Sequence, residues 1–193
     1  EYGPALIERL DGMFAFAIWD APRQRLVLGR DRAGEKPLYW SEQPDELIFG
    51  SELRAVLAHP RVARQLDPVA LQQFLLHDYF PAPATPIAAI RKLPAAHLVI
   101  HERGRTSIKR YWDLADQYAT ARRSALSFGA AAERLDGLIS QAVRRRSRSD
   151  VPVGVFLSGG IDSSAVLAHL TEQFGRGVPV FALGYHDLAF DES

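Results

Sequence analysis

The chain has 193 residues, 47% of them hydrophobic, and its 23 basic side chains balance its 23 acidic ones. This content suffices for one large domain or two small ones, and the charge gives no indication of a nucleic-acid or membrane partner. The absence of cysteine excludes disulfides, zinc–thiolate sites and a cysteine nucleophile within these residues. No apolar run approaches the roughly 18 residues of a membrane span, and no signal-peptide pattern occurs, so we expect a cytoplasmic protein.

The first 60 residues alternate short apolar runs with turn-forming residues. Strands are predicted at 13–19, 25–30, 38–40 and 47–51, the end of a helix at 5–11, and a short helix at 51–57. The turn residues at 21–24 predict that the first two strands form a hairpin. This order predicts an antiparallel meander with small helices, which is typical of an α+β or sandwich domain.

A charged loop follows the second predicted strand. Its residues Arg30, Asp31, Glu35 and Lys36 have the charges of catalytic groups. A structural ion-pair loop that packs at a domain boundary is the favoured interpretation.

The segment at 66–94 combines a predicted helix with a proline-rich stretch. Asp67 is predicted to cap a helix whose first residue is Pro68. The apolar face of this helix is predicted to carry Leu71, Phe74 and Leu75. The proline-rich residues 81–94 predict a stiff linker, whose apolar residues indicate that it packs against the protein.

Two further strands are predicted at 97–101 and 107–112. His97 and His101 would share a face of the first strand, but four residues along a strand span about 13 Å, too far for one metal ion. We therefore interpret them as surface or hydrogen-bonded core residues. Trp19, Trp40 and Trp112 are expected in the core.

The last third of the chain begins with an amphipathic helix predicted at 127–146. Its apolar stripe comprises Leu135, Leu138, Ile139, Ala142 and Val143. Residues 151–157 then form an apolar run rich in β-branched residues, which predicts a buried, parallel strand. Glycines break this run, and a helical pattern follows with Ala165, Val166 and Leu170 on one face.

A strand, a glycine turn and a helix N-terminus together favour an anion site. The first N–H groups of a helix have no partner within it, and the helix dipole favours negative charge there. Gly159 and Gly160 permit positive φ angles and close approach of a ligand. Ser158, Ser163 and Ser164 add hydroxyl donors for phosphate oxygens.

Asp162 in the same stretch would repel a bare phosphate, so its presence predicts a bridging Mg²⁺. The stretch has neither the Walker A lysine nor the G-x-G-x-x-G pattern of dinucleotide sites. The alternative is an ordinary glycine turn whose helix is capped by Asp162 or Ser163. The run Ser-Gly-Gly-Ile-Asp-Ser-Ser instead resembles the pyrophosphate loop of the ATP pyrophosphatase (PP-loop) superfamily.

The chain as a whole resembles the glutamine-hydrolysing asparagine synthetases. The segments that carry the resemblance, in the family's order, are 10–20, 29–39, 49–57, 91–97, 110–112 and 150–164. The resemblance implies an α+β part followed by an α/β part. The first is the C-terminal part of an Ntn-hydrolase glutaminase sandwich with the interdomain linker (1–115), and the second is the start of a PP-loop parallel-sheet domain (116–193).

The resemblance also implies the chemistry. Aspartate is adenylated with Mg-ATP and then amidated by glutamine-derived ammonia, which gives asparagine, AMP and pyrophosphate. The residues implied at the ATP and pyrophosphate site are Leu157, Ser158, Gly159, Gly160, Asp162, Ser163, Ser164 and Leu183. Leu157 and Leu183 would line the adenine, although a core role competes for both, and Asp162 would bind the magnesium ion.

The family's glutaminase uses an N-terminal cysteine, which these residues lack, so no catalytic residue is assigned here. We expect the chain to be a fragment that hydrolyses no glutamine by itself, and the intact protein to have cysteine after its initiator methionine. Two alternatives stay open: an amide-forming cyclase of the β-lactam synthetase or lasso-peptide type, and a non-catalytic nucleotide-binding homologue. The implied partners are small molecules, without nucleic acid or membrane, and a homodimer is one open assembly state.

Overall fold

The computed structural model describes residues 3–120, 126–175 and 177–184. The chain divides into two units, Glu1–Ala121 and Arg122–Ser193. The strands of the first unit are β1 Ala15–Asp20, β2 Arg25–Arg30, β3 Tyr39–Glu42, β4 Leu47–Gly50, β5 Arg91–Lys92, β6 His97–Glu102 and β7 Arg105–Arg110. Its α-helices are α1 Leu53–Leu57, α2 Pro68–His77 and α3 Leu114–Thr120, and 3-10 helices lie at Gly3–Arg9 and Ala21–Arg23.

Two antiparallel sheets form the frame of the first unit. One has the order β1-β2-β6-β7, and the other has the order β4-β3-β5. The predicted hairpin is confirmed, with Ala15 opposite Arg30 and Asp20 opposite Arg25. A short 3-10 helix and Gln24 in the left-handed region make the turn between its strands. The hairpin was therefore predicted correctly, but the meander was wrong, because β2 pairs with β6 and β3 lies in the other sheet.

The core follows from the alternation of side chains along the central strands β2 and β6. Leu28 and Val99 face the second sheet and are buried with Leu38, Trp40 and Leu93. On the other face, Val27 and Leu98 are buried against Ile7 of the first 3-10 helix. Because successive strand residues point to opposite faces, these two strands supply both apolar layers. Each such side chain is worth about 1.5–3 kcal/mol when fully buried.

The three tryptophans do not share one environment. Trp40 is buried between the sheets as predicted, and Trp112 is half-buried. Trp19 is 58% exposed, so the prediction that it lies in the core is wrong. It stands next to the end of β1, the edge strand, where an apolar run can face solvent on one side.

The predicted start of α2 is confirmed. The carboxylate of Asp67 accepts hydrogen bonds from the N–H groups of Val69 and Ala70 at 2.9 and 3.1 Å, and Pro68 is the first helical residue. The predicted apolar face is wrong in part, since Ala70 is the buried residue, Leu71 is half-buried and Leu75 is exposed. Phe74, the third residue of the predicted face, is 38% exposed.

The second unit contains α4 Phe128–Arg146, β8 Val155–Phe156, α5 Ile161–Phe174 and β9 Val180–Phe181. The strands pair in parallel, with Val155 opposite Val180. Val143, Val155 and Leu170 form the core, flanked by the half-buried Ile139 and Leu167. The N-cap of α4 is Ser127, which confirms the predicted start of this helix at residue 127.

Three predictions for the second unit are wrong in part. The strand expected at 151–157 has two residues, and Phe156 is 77% exposed, because the described sheet has apolar cover on one face only. On α4, Leu135 and Leu138 are exposed, so only the C-terminal half of the predicted stripe is in the core. On α5, Val166 is partly exposed, whereas Leu170 is buried. No helix among the described residues is both long and apolar enough to span a membrane.

Candidate phosphate-binding loop

The glycine turn joins the end of β8 to the start of α5. The N–H of Leu157 donates to the carbonyl of Phe181 at 2.8 Å, which continues the parallel pairing just past the strand. Gly159 then adopts a φ of 76°, a left-handed angle that favours glycine. A Cβ on Gly160 would meet only Ser158 Oγ, at 3.5 Å, so the protein leaves this side of the loop open. The turn thus exposes its backbone at the helix N-terminus.

The helix N-cap is Gly160, with extended backbone angles and no side-chain cap. The idea that Asp162 or Ser163 caps this helix is therefore wrong. The first intrahelical bond runs from the N–H of Ser164 to the carbonyl of Gly160 at 3.1 Å. The N–H groups that precede it in the first turn have no acceptor within the helix, by the geometry of helix ends. They are the donors that an anion would meet.

The serine hydroxyls converge on this turn. Ser163 Oγ lies 3.4 Å from the N–H nitrogen of Ser158 and 3.3 Å from Ser158 Oγ, and it donates to the carbonyl of Gly160 at 3.1 Å. Ser164 Oγ also donates to the Gly160 carbonyl, at 2.8 Å. The structure therefore brings together the serines that the sequence analysis singles out. The long contacts at Ser158 are weak enough for a phosphate oxygen to replace them.

Asp162 is the second residue of α5 and is exposed. A carboxylate in the first turn is favoured by the helix dipole, by about 0.3–1 kcal/mol. No group of three His, Cys, Asp or Glu side chains that could hold a metal occurs among the described residues. One carboxylate beside hydroxyl oxygens fits Mg²⁺, which is commonly held by one or two carboxylates together with substrate phosphates.

Leu157 and Leu183 follow the C-terminal ends of the paired strands β8 and β9. Leu157 is half-buried, whereas Leu183 is 70% exposed, so the core role considered for Leu183 is wrong. Both residues lie at the same sheet edge as the glycine turn, since parallel strands end on one side. In α/β sheets this edge is where ligands bind.

In the charged loop after β2, Asp31 binds backbone groups. Asp31 is 1% exposed, and its carboxylate accepts hydrogen bonds from the N–H groups of Phe14, Ala33, Glu35 and Lys36 at 3.3, 3.1, 2.9 and 3.0 Å. Burial raises the pKa of this carboxyl, but the backbone N–H donors outweigh burial and keep the pKa below its usual value. Asp31 thus organises the loop through backbone groups.

Arg30 also binds backbone groups, but as a donor. Its guanidinium donates to the carbonyls of Lys36, Leu93 and Gly34 at 2.9, 2.5 and 2.5 Å. Burial lowers the pKa of Arg30, while the nearby Asp31 and Tyr39 oppose this effect. Arg30 and Asp31 are therefore both held by hydrogen bonds between a charged side chain and the backbone.

The two histidines of β6 make local contacts. His97 Nδ1 lies 2.7 Å from the carbonyl oxygen of Ala95, and His101 Nδ1 lies 2.8 Å from Thr106 Oγ1. A different histidine, His169 on α5, is buried, and the sequence analysis did not single it out. Asp136, which faces it from α4, is distant in sequence, so no local pattern could have marked this contact.

Two known families match the chain, one in each part. The family described as "Glutamine amidotransferase domain" matches residues 1–112, and the family described as "Asparagine synthase" matches residues 134–193. Asparagine synthetase (glutamine-hydrolyzing) 3 of Bacillus subtilis is 36% identical over 91% of this chain, which spans 28% of that relative. A Gibberella zeae protein named amidase chry2 is 34% identical over 89% of this chain, which spans 26% of it.

Among solved structures, glutamine phosphoribosylpyrophosphate amidotransferase from B. subtilis aligns with 95% of this chain and 36% of its own length. The identity is 16% and the TM-score is 0.35. The chain therefore spans about a quarter to a third of the lengths of the known proteins compared with it.

Proposed function

Because the chain belongs to the glutamine amidotransferase domain family and its second part matches the asparagine synthase family, we propose that the natural protein containing it synthesises asparagine. In this reaction, aspartate is adenylated with ATP, and glutamine-derived ammonia then gives asparagine, AMP and pyrophosphate. One observation carries the proposal. The Ser-Gly-Gly-Ile-Asp-Ser-Ser turn lies inside the asparagine synthase match and opens α5 just after a parallel strand.

The turn supplies donors for the phosphates that leave as pyrophosphate. We assign the backbone N–H groups of Gly159, Gly160 and the first turn of α5 to the phosphate oxygens, because they combine free donors with the positive end of the helix dipole. The hydroxyls of Ser158, Ser163 and Ser164 lie on the same turn and add neutral donors. Preorganised donors of this kind stabilise the negative charge that develops on a leaving phosphate.

Asp162 is assigned to a magnesium ion shared with the phosphates. When bound, the ion would offset phosphate charge as a Lewis acid. The helix dipole favours a carboxylate at this position, so it offsets part of the repulsion between Asp162 and the phosphates. Leu157 and Leu183 are assigned to the adenine side, at the carboxyl ends of β8 and β9.

We also propose which activity each part of the chain belongs to. Residues 1–115 are assigned to the glutaminase part and its linker, and residues 116–193 to the synthetase part. The nucleophile for glutamine hydrolysis is not among these residues, since the sequence has no cysteine. The lack of cysteine also agrees with the cytoplasmic location that we propose.

The test replaces Asp162 with asparagine in the natural protein and measures aspartate-dependent pyrophosphate release against Mg²⁺ concentration. We expect release to fall at least about tenfold, since even the outer partners of a metal site are worth about 10–100-fold. Thermal stability should change little, because the lost charge–dipole contribution is about 0.3–1 kcal/mol and Gly160, not Asp162, is the N-cap.

Asp150→Asn is the matched control, because Asp150 is an exposed acid of the same unit placed before β8 rather than after it. It should release pyrophosphate at the wild-type rate. Near-normal release from folded Asp162→Asn would refute the metal assignment. If the wild-type protein released no pyrophosphate with aspartate and ATP, the proposed function itself would be wrong.

A further inference from the structure

His169 is a buried titratable residue that the proposed chemistry does not use. It lies on α5, seven residues after Asp162, and is 6% exposed. Its Nε2 lies 3.3 Å from Asp136 Oδ1 on α4. Its Nδ1 is fully buried and makes no hydrogen bond within the described residues, although Glu172 Oε2 is 3.5 Å away. A buried imidazole facing a carboxylate on a second helix calls for a physical explanation.

A second polar contact joins the same two helices one turn further along. Gln173 Nε2 on α5 donates to the carbonyl of Ser140 at 2.9 Å and lies 3.3 Å from Ser140 Oγ. Positions 136 and 140 share a face of α4, and positions 169 and 173 share a face of α5, since each pair is four residues apart. The two contacts therefore form a polar seam between the helices, defined by His169–Asp136 and Gln173–Ser140.

The seam lies beside the apolar core of the unit, which contains Val143, Val155 and Leu170. Apolar burial is non-directional, so it stabilises the helix pair without selecting one axial register closely. Hydrogen bonds and ion pairs have preferred distances and angles, so they do select a register. The register matters because α5 carries the phosphate-binding turn at its first residue, about 12 Å from His169 along a rigid helix at 1.5 Å per residue.

We propose that His169 is a positioning residue for the phosphate-binding turn. Its contact with Asp136 holds α5 against α4 in the register that aims the first-turn N–H groups at the pyrophosphate. This inference rests on the proposed function of the turn, but it assigns a role to residues outside it.

The charged surroundings of His169 agree with an attractive contact. Asp136 faces it from α4 and Glu172 from its own helix, and both groups are acidic. The strands β8 and β9 contribute only valine and phenylalanine. The imidazole presents a ring nitrogen to each carboxylate, Nε2 to Asp136 and Nδ1 to Glu172. Leucine at this position has similar bulk but no donor.

The test measures the binding of magnesium pyrophosphate to the natural protein by calorimetry. We expect His169→Leu to weaken binding about tenfold, in the range found for supporting partners of a binding site. His169→Gln keeps one N–H donor and should bind within about twofold of wild type. Asp136→Ala removes the acceptor from the exposed partner, so this variant folds even if His169→Leu does not. It should weaken binding in the same direction, and the double variant should be no worse than His169→Leu alone.

Val143→Ala is the control for a purely structural effect. It removes apolar core on α4 and lowers the melting temperature, but it leaves the seam intact, so its affinity for magnesium pyrophosphate should equal that of wild type. Wild-type affinity in both His169→Leu and Asp136→Ala would refute the positioning role. Weakened binding in Val143→Ala at a temperature where it is folded would refute it as well. If wild type does not bind magnesium pyrophosphate, the proposed function fails, and this inference fails with it.

Discussion

Asp31 offers a quantitative test of how the loop after β2 is stabilised. In Asp31→Asn, one carboxylate oxygen is replaced by an amide NH2 group. Oδ1 accepts from Ala33 and Glu35, and Oδ2 accepts from Lys36 and Phe14. Whichever oxygen is replaced, two part-buried backbone donors lose their acceptor and face another donor. A fully buried unsatisfied donor costs about 1–3 kcal/mol, and water reaches these donors in part, so we expect the free energy of unfolding to fall by about 2–3 kcal/mol.

The assay is equilibrium unfolding in urea at neutral pH, followed by tryptophan fluorescence. All three tryptophans belong to the first unit, and Trp40 is buried in its core, so the signal reports on the unit that contains Asp31. Asp45→Asn is the matched control, because the Asp45 side chain is 73% exposed and lies 3.4 Å from Arg61. An exposed pair of this kind is worth about 0–1 kcal/mol.

The pH dependence has a definite sign. The pKa of Asp31 is lower in the folded protein than the ordinary value of 3.8, so its ionised form stabilises the fold above that value. This contribution is lost as the pH falls below about 3.8 towards the folded pKa. The stability difference between wild type and Asp31→Asn should therefore shrink in that range. A difference below about 1 kcal/mol at neutral pH would refute the assigned hydrogen bonds, since it would equal that of an exposed pair.

Two further stability predictions use the same assay. Asp67→Ala removes the side-chain cap of α2 and should cost about 1 kcal/mol, whereas Asp67→Asn should cost almost nothing; equal losses in both variants would contradict the capping role. Gly29→Ala places a Cβ 2.4 Å from Phe16 Cζ and 3.1 Å from Ile7 Cδ1, and overpacking of this kind should cost about 1–3 kcal/mol. Shortening Phe16 to leucine in the Gly29→Ala protein should recover part of the loss, and no recovery would show that the clash is not the cause.

Much of the local structure follows from short-range signals in the sequence. β2 occupies the residues predicted for it, because a β-branched and aliphatic pattern between turn residues is a local property. The starts of α2 and α4 are also local, since Asp67 and Ser127 cap N–H groups two or three residues away. The position of the glycine turn between a strand and a helix was predictable for the same reason. Which ligand this turn binds stays a prediction.

Other features depend on partners that are distant in sequence. The N–H of Phe14 reaches Asp31 across 17 residues, so a carboxylate whose charge suggests an ion pair in the sequence is held by backbone donors in the fold. The exposure of Trp19 follows from the place of β1 at the edge of its sheet. His169 meets Asp136 only because α4 and α5 pack on one core. Sequence patterns therefore determined the bounds of β2 and the capped starts of α2 and α4, because those depend on neighbouring residues. The tertiary structure alone decided which polar groups are buried together, because that depends on how the elements pack.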